Sequence, residues 1–297
     1  MAAQYIARHE KSWKSAKHQA QWSATLRTYA EPMIGRLLVR DIRPVHVICL
    51  LEPIWTTKTE TATRVRSRIE IVLDYATAHG LREGPNPARW RGNLDAALPN
   101  ASKVAPVRHH AAVDVREVSP FMARLRRQDG VGARALQFAV LTAARSGEVR
   151  GATWAEIDVD GCLWTIPGTR MKSGREHRVP LSSAAIALLQ ALPSDRVVSD
   201  HVFPGTRGPL SDMSLTAVLR RMNVAATAHG FRSTFRDWVS EHTEYSREVA
   251  EMSLSHAIGD KVEAAYRRGD LLAKRVGLMN AWADFLNTVP PIAPVAR

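Results

Sequence analysis

Apolar residues recur at spacings of three and four over residues 3–17, 20–30, 44–53 and 58–79, with little β-branched alternation, so the first third of the chain is predicted to be helical. In the last of these stretches Val65, Ile69, Val72 and Leu73 form one stripe. Arg64, Arg66 and Arg68 fall largely off it, where a phosphate could reach them or water could solvate them. The hydroxyl-rich run Thr56–Thr63 suits a helix cap. The same helical period continues over 114–128 and 131–144, then breaks. Trp154–Ile157, Cys162–Ile166 and Arg175–Pro180 read as short strands, and GTRMKSGRE between the last two is a turn signal with Gly168 and Gly174. Helices return at 182–192, 211–225, 230–241, 246–253, 259–268 and 271–287, before a tail with three prolines. The pattern predicts a mainly α chain with a small β-sheet in its second part.

Between these regions, LPNASKVAPVRHHAAV at 98–113 lacks sustained periodicity and reads as a linker. It divides the chain into a helical domain, residues 1–105, and a mixed domain, residues 106–297. The 297 residues suffice for two ordinary domains. No internal repeat, metal-type cysteine spacing or membrane-length apolar run occurs, and the opening residues lack a signal-peptide core. With only Cys49 and Cys162, a reducing, cytoplasmic setting without membrane contact is expected.

Charge sharpens the picture. The net charge is +12 and the pI about 10.3, as expected of a protein that binds phosphate backbones and releases their counterions. Residues 1–105 hold 16 basic and 9 acidic side chains against 25 and 20 in the longer remainder, so the smaller domain is the more densely basic.

Three clusters combine arginine, histidine and tyrosine beyond what a core requires. In TAARSGEVRG (142–151), Arg145 ends an apolar helix and is followed by Glu148; on its own it fits a structural ion pair as well as an anion site. In HGFRSTFRDW (229–238), His229 and Arg232 share one side of a helix start, while Phe231, Phe235 and Trp238 supply the buried side; His229 could equally serve only as a cap. In LSHAIGDKVEAAYRRGD (254–270), His256 lies in a turn and Tyr266 follows beside Arg267 and Arg268, where taken alone it reads as a surface residue.

Together these stretches resemble the tyrosine recombinase (phage integrase) family, most of all the prophage integrases of satellite-phage type. AARSGE supplies Arg145 and Glu148, MKSGREHRVPLS supplies Lys172, HGFRSTFRDW supplies His229 and Arg232, LSH supplies His256, and AAYRRGD supplies Tyr266. The resemblance spans about residues 3–287. It implies a two-domain recombinase: a helical core-DNA-binding domain and a mixed α/β catalytic domain clamped around double-stranded DNA. It implies Tyr266 as nucleophile, Arg145 and Arg232 as donors to the phosphate oxygens, Lys172 as acid and His229 as base. It further implies His256 as a further donor and Glu148 as an orienting group for a neighbouring His or Lys. No metal or cofactor is implied. A homotetramer on DNA through the amphipathic helix 271–286, with DNA-bending accessory proteins, is part of the same expectation. Family members of this type usually carry a further N-terminal arm-binding domain, and this chain opens directly in the core-binding region.

Two other readings remain open to the residues: a DNA-binding relic without catalysis, and a type IB topoisomerase sharing the tyrosine chemistry. The full set of six reactive positions weighs against the first, and the text from 229 to 285 against the second. A metal nuclease is disfavoured by scattered histidines and the lack of an HExxH motif.

Overall fold

In the computed structural model, which describes residues 1–13, 16–106, 110–192, 200–256 and 269–288, the chain divides into two units, Met1–Arg108 and His109–Arg297. The first unit is helical: α1 (Ala2–His9), α2 (Ala16–Thr25), α3 (Glu31–Ile34), α4 (Pro44–Trp55), α5 (Thr59–Ala78) and α6 (Ala101–Val104). A π-helical turn, Leu26–Ala30, joins α2 to α3. Pro44 starts α4 at the position where a missing N–H costs nothing. Val65, Ile69, Val72 and Leu73 are buried together with Trp22, Leu51 and Trp55, so the stripe read from the sequence is the seam of this core.

Two details differ from the sequence reading. The arginines of α5 are occupied: Arg64 pairs with Glu60, Arg66 with Glu70 and the Ala88 carbonyl, and Arg68 lies buried over the Trp22 ring and bonds Thr25. The hydroxyls near the start of α5 do not cap it; Thr59 and Thr63 donate back to the Trp55 and Thr59 carbonyls. The stretch 98–113 contributes to both units. Leu98 is buried, the Pro99 carbonyl accepts from Trp55 Nε1 at 2.8 Å, and residues 111–113 line the start of a helix in the second unit.

The second unit is built on α8 (Val131–Thr142), which is buried along most of its length. Around it pack α7 (Val115–Arg126), α9 (Ser146–Arg150), α10 (Ser183–Gln190), α11 (Ser214–Arg221) and α14 (Leu272–Asn287), with α12 (Gly230–His242) and α13 (Arg247–Ser253) completing the helical layer. A three-stranded antiparallel sheet in the order β1 (Ile157–Asp158), β2 (Leu163–Ile166), β3 (His177–Pro180) covers one side, with Ile166 opposite His177 and Trp164 opposite Val179. A second, two-stranded sheet joins β4 (Pro204–Gly205) to β5 (Gly208–Pro209).

The first strand is shorter than expected. Trp154–Glu156 forms a 3-10 turn, because Glu156 turns its carboxylate to Trp164 Nε1 and Arg170, and Asp158 already starts the reversal by accepting from Gly161 N. The third strand begins at His177, since Arg175 and Glu176 stay exposed in the hairpin loop. That loop closes tightly: a Cβ on Gly168 would meet the Gly174 carbonyl at 2.6 Å, and Gly174 has φ 74°, a left-handed value glycine adopts freely.

Helix α14 uses its apolar face at home. Leu278, Met279, Trp282 and Leu286 are buried, and Trp282 Nε1 donates to the Val140 carbonyl at 2.8 Å. The expected docking of 271–286 onto a neighbouring protomer therefore has no spare apolar face, apart from exposed Val276. The predicted helix 259–268 and the tail lie outside the described residues. Among the described residues no helix is long and apolar enough to cross a membrane.

Candidate active site

The end of α8 starts the site. Ala143 turns the chain with φ 50°, a left-handed value uncommon for alanine, and α9 begins two residues later with Arg145 as its cap. Glu148, buried in the first turn of α9, accepts from the Arg145 backbone N–H at 2.8 Å and from Arg145 Nη1 at 2.7 Å. The remaining side of that guanidinium donates from Nη2 to the Ser255 carbonyl at 3.1 Å. Glu148 thus orients Arg145, where the sequence reading gave it a histidine or lysine.

Helix α12 brings the second arginine. His229 is its cap residue and Arg232 lies in its first turn. Gly230 is required here because residues 111–112 run against the helix start: a Cβ would sit 2.0 Å from the Ala111 carbonyl oxygen. Thr227 N donates to that same oxygen, and Thr234 Oγ1 donates to the Val113 carbonyl at 2.6 Å.

Arg232 is 4% exposed. Its Nη1 donates to the Ala143 carbonyl, and its Nη2 to the Leu254 carbonyl at 2.6 Å and to His256 Nε2 at 3.0 Å. All three acceptors are uncharged, and Nε has no partner among the described residues. Burial, followed by repulsion from Arg145, lowers its pKa to about 10, so it stays charged at neutral pH. Glu148 and Glu251 act on it through space, but each is already bonded to other groups. A buried cation whose own bonds are all to neutral acceptors is a seat for an anion.

His256 follows Ser255, which has φ 51°. Its Nδ1 lies 2.5 Å from Glu251 Oε2 on α13, and the other oxygen of Glu251 accepts from Arg236 Nε at 2.7 Å. Burial raises the Glu251 carboxyl, but the hydrogen bonds from His256 and Arg236 outweigh it and the net shift is downward. His229 is exposed, with its ring 4.6 Å from that of His110 in an edge-on arrangement. Lost hydration, then the charges of Arg232, His110, Arg145 and His256, lowers its pKa and favours the neutral imidazole.

On β3, His177 lies on the face shared with Trp164 and Val179. Burial, then the charges of Arg275, Arg145 and Arg232, pushes it down to about 3, against a hydrogen bond to the Ser253 backbone. Lys172 is exposed in the β2–β3 loop and bonds none of these groups among the described residues. The base of that loop is braced by Arg170, which donates to Glu156 and to the Glu148 carbonyl.

The structure therefore gathers Arg145, Glu148, Arg232 and His256 into one bonded network, with His229 in electrostatic reach. Tyr266 lies outside the described residues. Glu251, Arg236, His177 and His110 went unnoticed in the sequence. Only His177 left a signal there, alternating with Val179 beside apolar partners. Among the described residues no three His, Cys, Asp or Glu are grouped to hold a metal ion.

Two helical and mixed units with paired arginines at the heart of the second define the tyrosine recombinase fold. It is shared with a solved lambda integrase dimer bound to a COC′ core site, at TM-score 0.65 and 17% identity, covering 90% of this chain and 94% of that one. The Tn1549 transposon integrase in complex with transposon right end DNA matches at TM-score 0.65 and 12% identity, covering 93% and 98%. The phage integrase central domain model matches residues 1–93, and the phage integrase family model residues 112–270. The prophage integrase IntZ of Escherichia coli strain K12 is 30% identical over 294 residues, 97% of this chain and 71% of the relative. The integrase of enterobacteria phage P4 is 30% identical over 300 residues, 93% of this chain and 66% of the relative. The chain belongs to the phage integrase family, the tyrosine-type site-specific recombinases.

Proposed function

We propose that this chain cuts and rejoins double-stranded DNA through a covalent bond to Tyr266, and that Arg145, Lys172, His229, Arg232 and His256 serve that reaction. The observation that carries the reading is Arg232: a guanidinium 4% exposed, bonded only to neutral acceptors and adjacent to a second arginine. A phosphodiester supplies the missing negative charge.

The phenol oxygen of Tyr266 attacks phosphorus in line, forming a 3′-phosphotyrosyl ester as the bond to the 5′-oxygen breaks. Lys172, on its exposed loop, protonates the departing 5′-oxygen, and His229, biased toward the neutral form by lost hydration and then by the cations around it, accepts the tyrosine proton. Arg145 and Arg232 hold the non-bridging oxygens, whose negative charge grows in the transition state, and His256 donates alongside them. Glu148 keeps the first arginine in register. The energy of the broken ester is stored in the new one, so religation needs no ATP.

The structural neighbours support DNA as the partner, and a lambda integrase tetramer bound to a Holliday junction supports assembly into a tetramer on it. Accessory proteins that bend the DNA belong to the same proposal. Incubation with nicked core-site DNA, followed by denaturing electrophoresis and peptide mapping, tests the reading. A protein–DNA adduct at Tyr266 that persists in chelator is expected. Tyr266→Phe should bind the same DNA and give no adduct; an adduct formed by that variant would reassign the nucleophile.

A further inference from the structure

We propose that Glu251 is a positioning residue: it holds His256 as the neutral Nδ1–H tautomer, and it stabilises one proton that His256 takes up when a phosphodiester enters the site. The inference rests on the reading above that His256 addresses a phosphate oxygen.

Glu251 Oε2 lies 2.5 Å from Nδ1, and a carboxylate only accepts, so Nδ1 carries the hydrogen. On the opposite edge, Arg232 Nη2 lies 3.0 Å from Nε2, and a guanidinium only donates, so Nε2 offers its lone pair. The ring is neutral in this arrangement. An imidazolium would turn an N–H against an N–H of Arg232.

The same ring cannot donate to a phosphate from Nε2 without a second hydrogen. When a diester arrives, the Arg232 N–H that now points at Nε2 turns to a phosphate oxygen. A proton from bulk water then joins Nε2, and the resulting imidazolium donates to a neighbouring oxygen. Glu251 remains a carboxylate throughout and faces the new cation across Nδ1–H.

The charged and titratable groups tied to the ring or to its partners fit this order. From α12 come Arg232 and Arg236, from α13 Glu251 and Arg247, with Arg145 on the preceding Ser255 carbonyl, Glu148 behind it, and His229 in electrostatic reach at the start of α12. Arginines outnumber carboxylates in this group, so the negative charge of a diester is what the arrangement lacks. Arg236 fixes Oε1 of Glu251 and so aims Oε2 at the ring.

The test uses the full chain labelled with 15N-histidine and 15N-arginine, His256 being assigned by the signal lost in His256→Asn. In the free protein near neutral pH, long-range nitrogen–proton correlation should show a protonated Nδ1 and an unprotonated Nε2. An Nε2–H tautomer or an imidazolium there would overturn the proposal. Dimethyl phosphate, a diester whose charge is constant near neutrality, is then titrated until the arginine Nε signals stop moving. Both ring nitrogens of His256 should become protonated, and a ring that stays neutral at that point would refute the proton uptake. Arginine signals that never move would count against the phosphodiester reading and the uptake together, while the free-protein spectrum still decides the tautomer.

Glu251→Gln separates placement from charge, since its amide oxygen can still accept from Nδ1–H. It should keep the tautomer and lose the uptake. Adduct formation should then fall about tenfold below wild type near pH 8, the loss of one charge-assisted hydrogen bond, and approach wild type as the pH is lowered. A loss that is the same at every pH would mark a merely structural role.

Discussion

Replacing Arg232 by lysine keeps the charge and removes the fork. The guanidinium bonds Ala143, Leu254 and His256 at once and still has Nε unpartnered among the described residues. An ammonium on a shorter reach cannot serve all of them. Arg232→Lys should therefore bind DNA but cleave about a hundredfold or more slowly, the usual cost of one lost transition-state donor, in single-turnover adduct formation. Cleavage within a fewfold of wild type would remove this arginine from the reaction. His177 gives a prediction of a different kind. Its folded pKa of about 3 lies below the ordinary 6.5, so as the pH falls the unfolded chain binds the proton first. The stability it contributes is complete above about 6.5 and is lost as the pH falls toward 3, with His229 acting in the same direction. Urea titrations across this range should show a shallower acid decline for His177→Gln; parallel declines would contradict the assignment. At this scale the sequence was generous with arginines and histidines, which stand out as charge inside apolar text. It hid Glu251, because an acid on a short helix looks solvated until the turn at Ser255 folds His256 back toward it.

Among the elements, α12 shows how a helix is aimed by its neighbours. The segment 111–113 lies along its first turn through Thr227 and Thr234, and only a glycine at 230 lets the two backbones meet. Gly230→Ala should force them apart at a cost of about 1–3 kcal/mol, read as a lower urea midpoint, and should also displace His229 and Arg232. An unchanged midpoint would show that the approach is looser than described. Most helices were legible from their period, since most of the longer ones bury one face. The strands were less so: β1 has two residues, and its start is decided by Glu156 serving Trp164 and Arg170, which no local pattern records. Of the arginines of α5, Arg66 and Arg68 are drawn inward for a related reason, while Arg64 stays exposed in its pair with Glu60, as a solvated face requires. Their partners Glu60 and Glu70 are one turn away, but Trp22 and Ala88 come from distant parts of the unit.

For the whole molecule the informative quantities are charge and division. Each unit buries its own apolar cluster, so the helical unit does not need the other to close its core. With a net charge of +12, affinity for DNA should fall steeply with salt. A protein making six to ten phosphate contacts loses about three to five orders of magnitude between 50 and 200 mM, and a filter-binding or anisotropy titration reads the slope directly. A flat salt response would exclude a phosphate-tracking interface.

The two arginines are seated on main-chain oxygens. Ala143, in a left-handed turn, holds one; Ser255, in another, holds the other; and Leu254 adds a third grip. These oxygens sit 89 and 110 positions away from the arginines that Ala143 and Ser255 hold, so they converge only after the last turns have closed. A nascent or half-melted chain, even one with its helices formed, keeps its guanidiniums apart. If the two guanidiniums act as proposed, competence to cut DNA is gained only once the stretches around residues 143 and 255 have both been made and brought together.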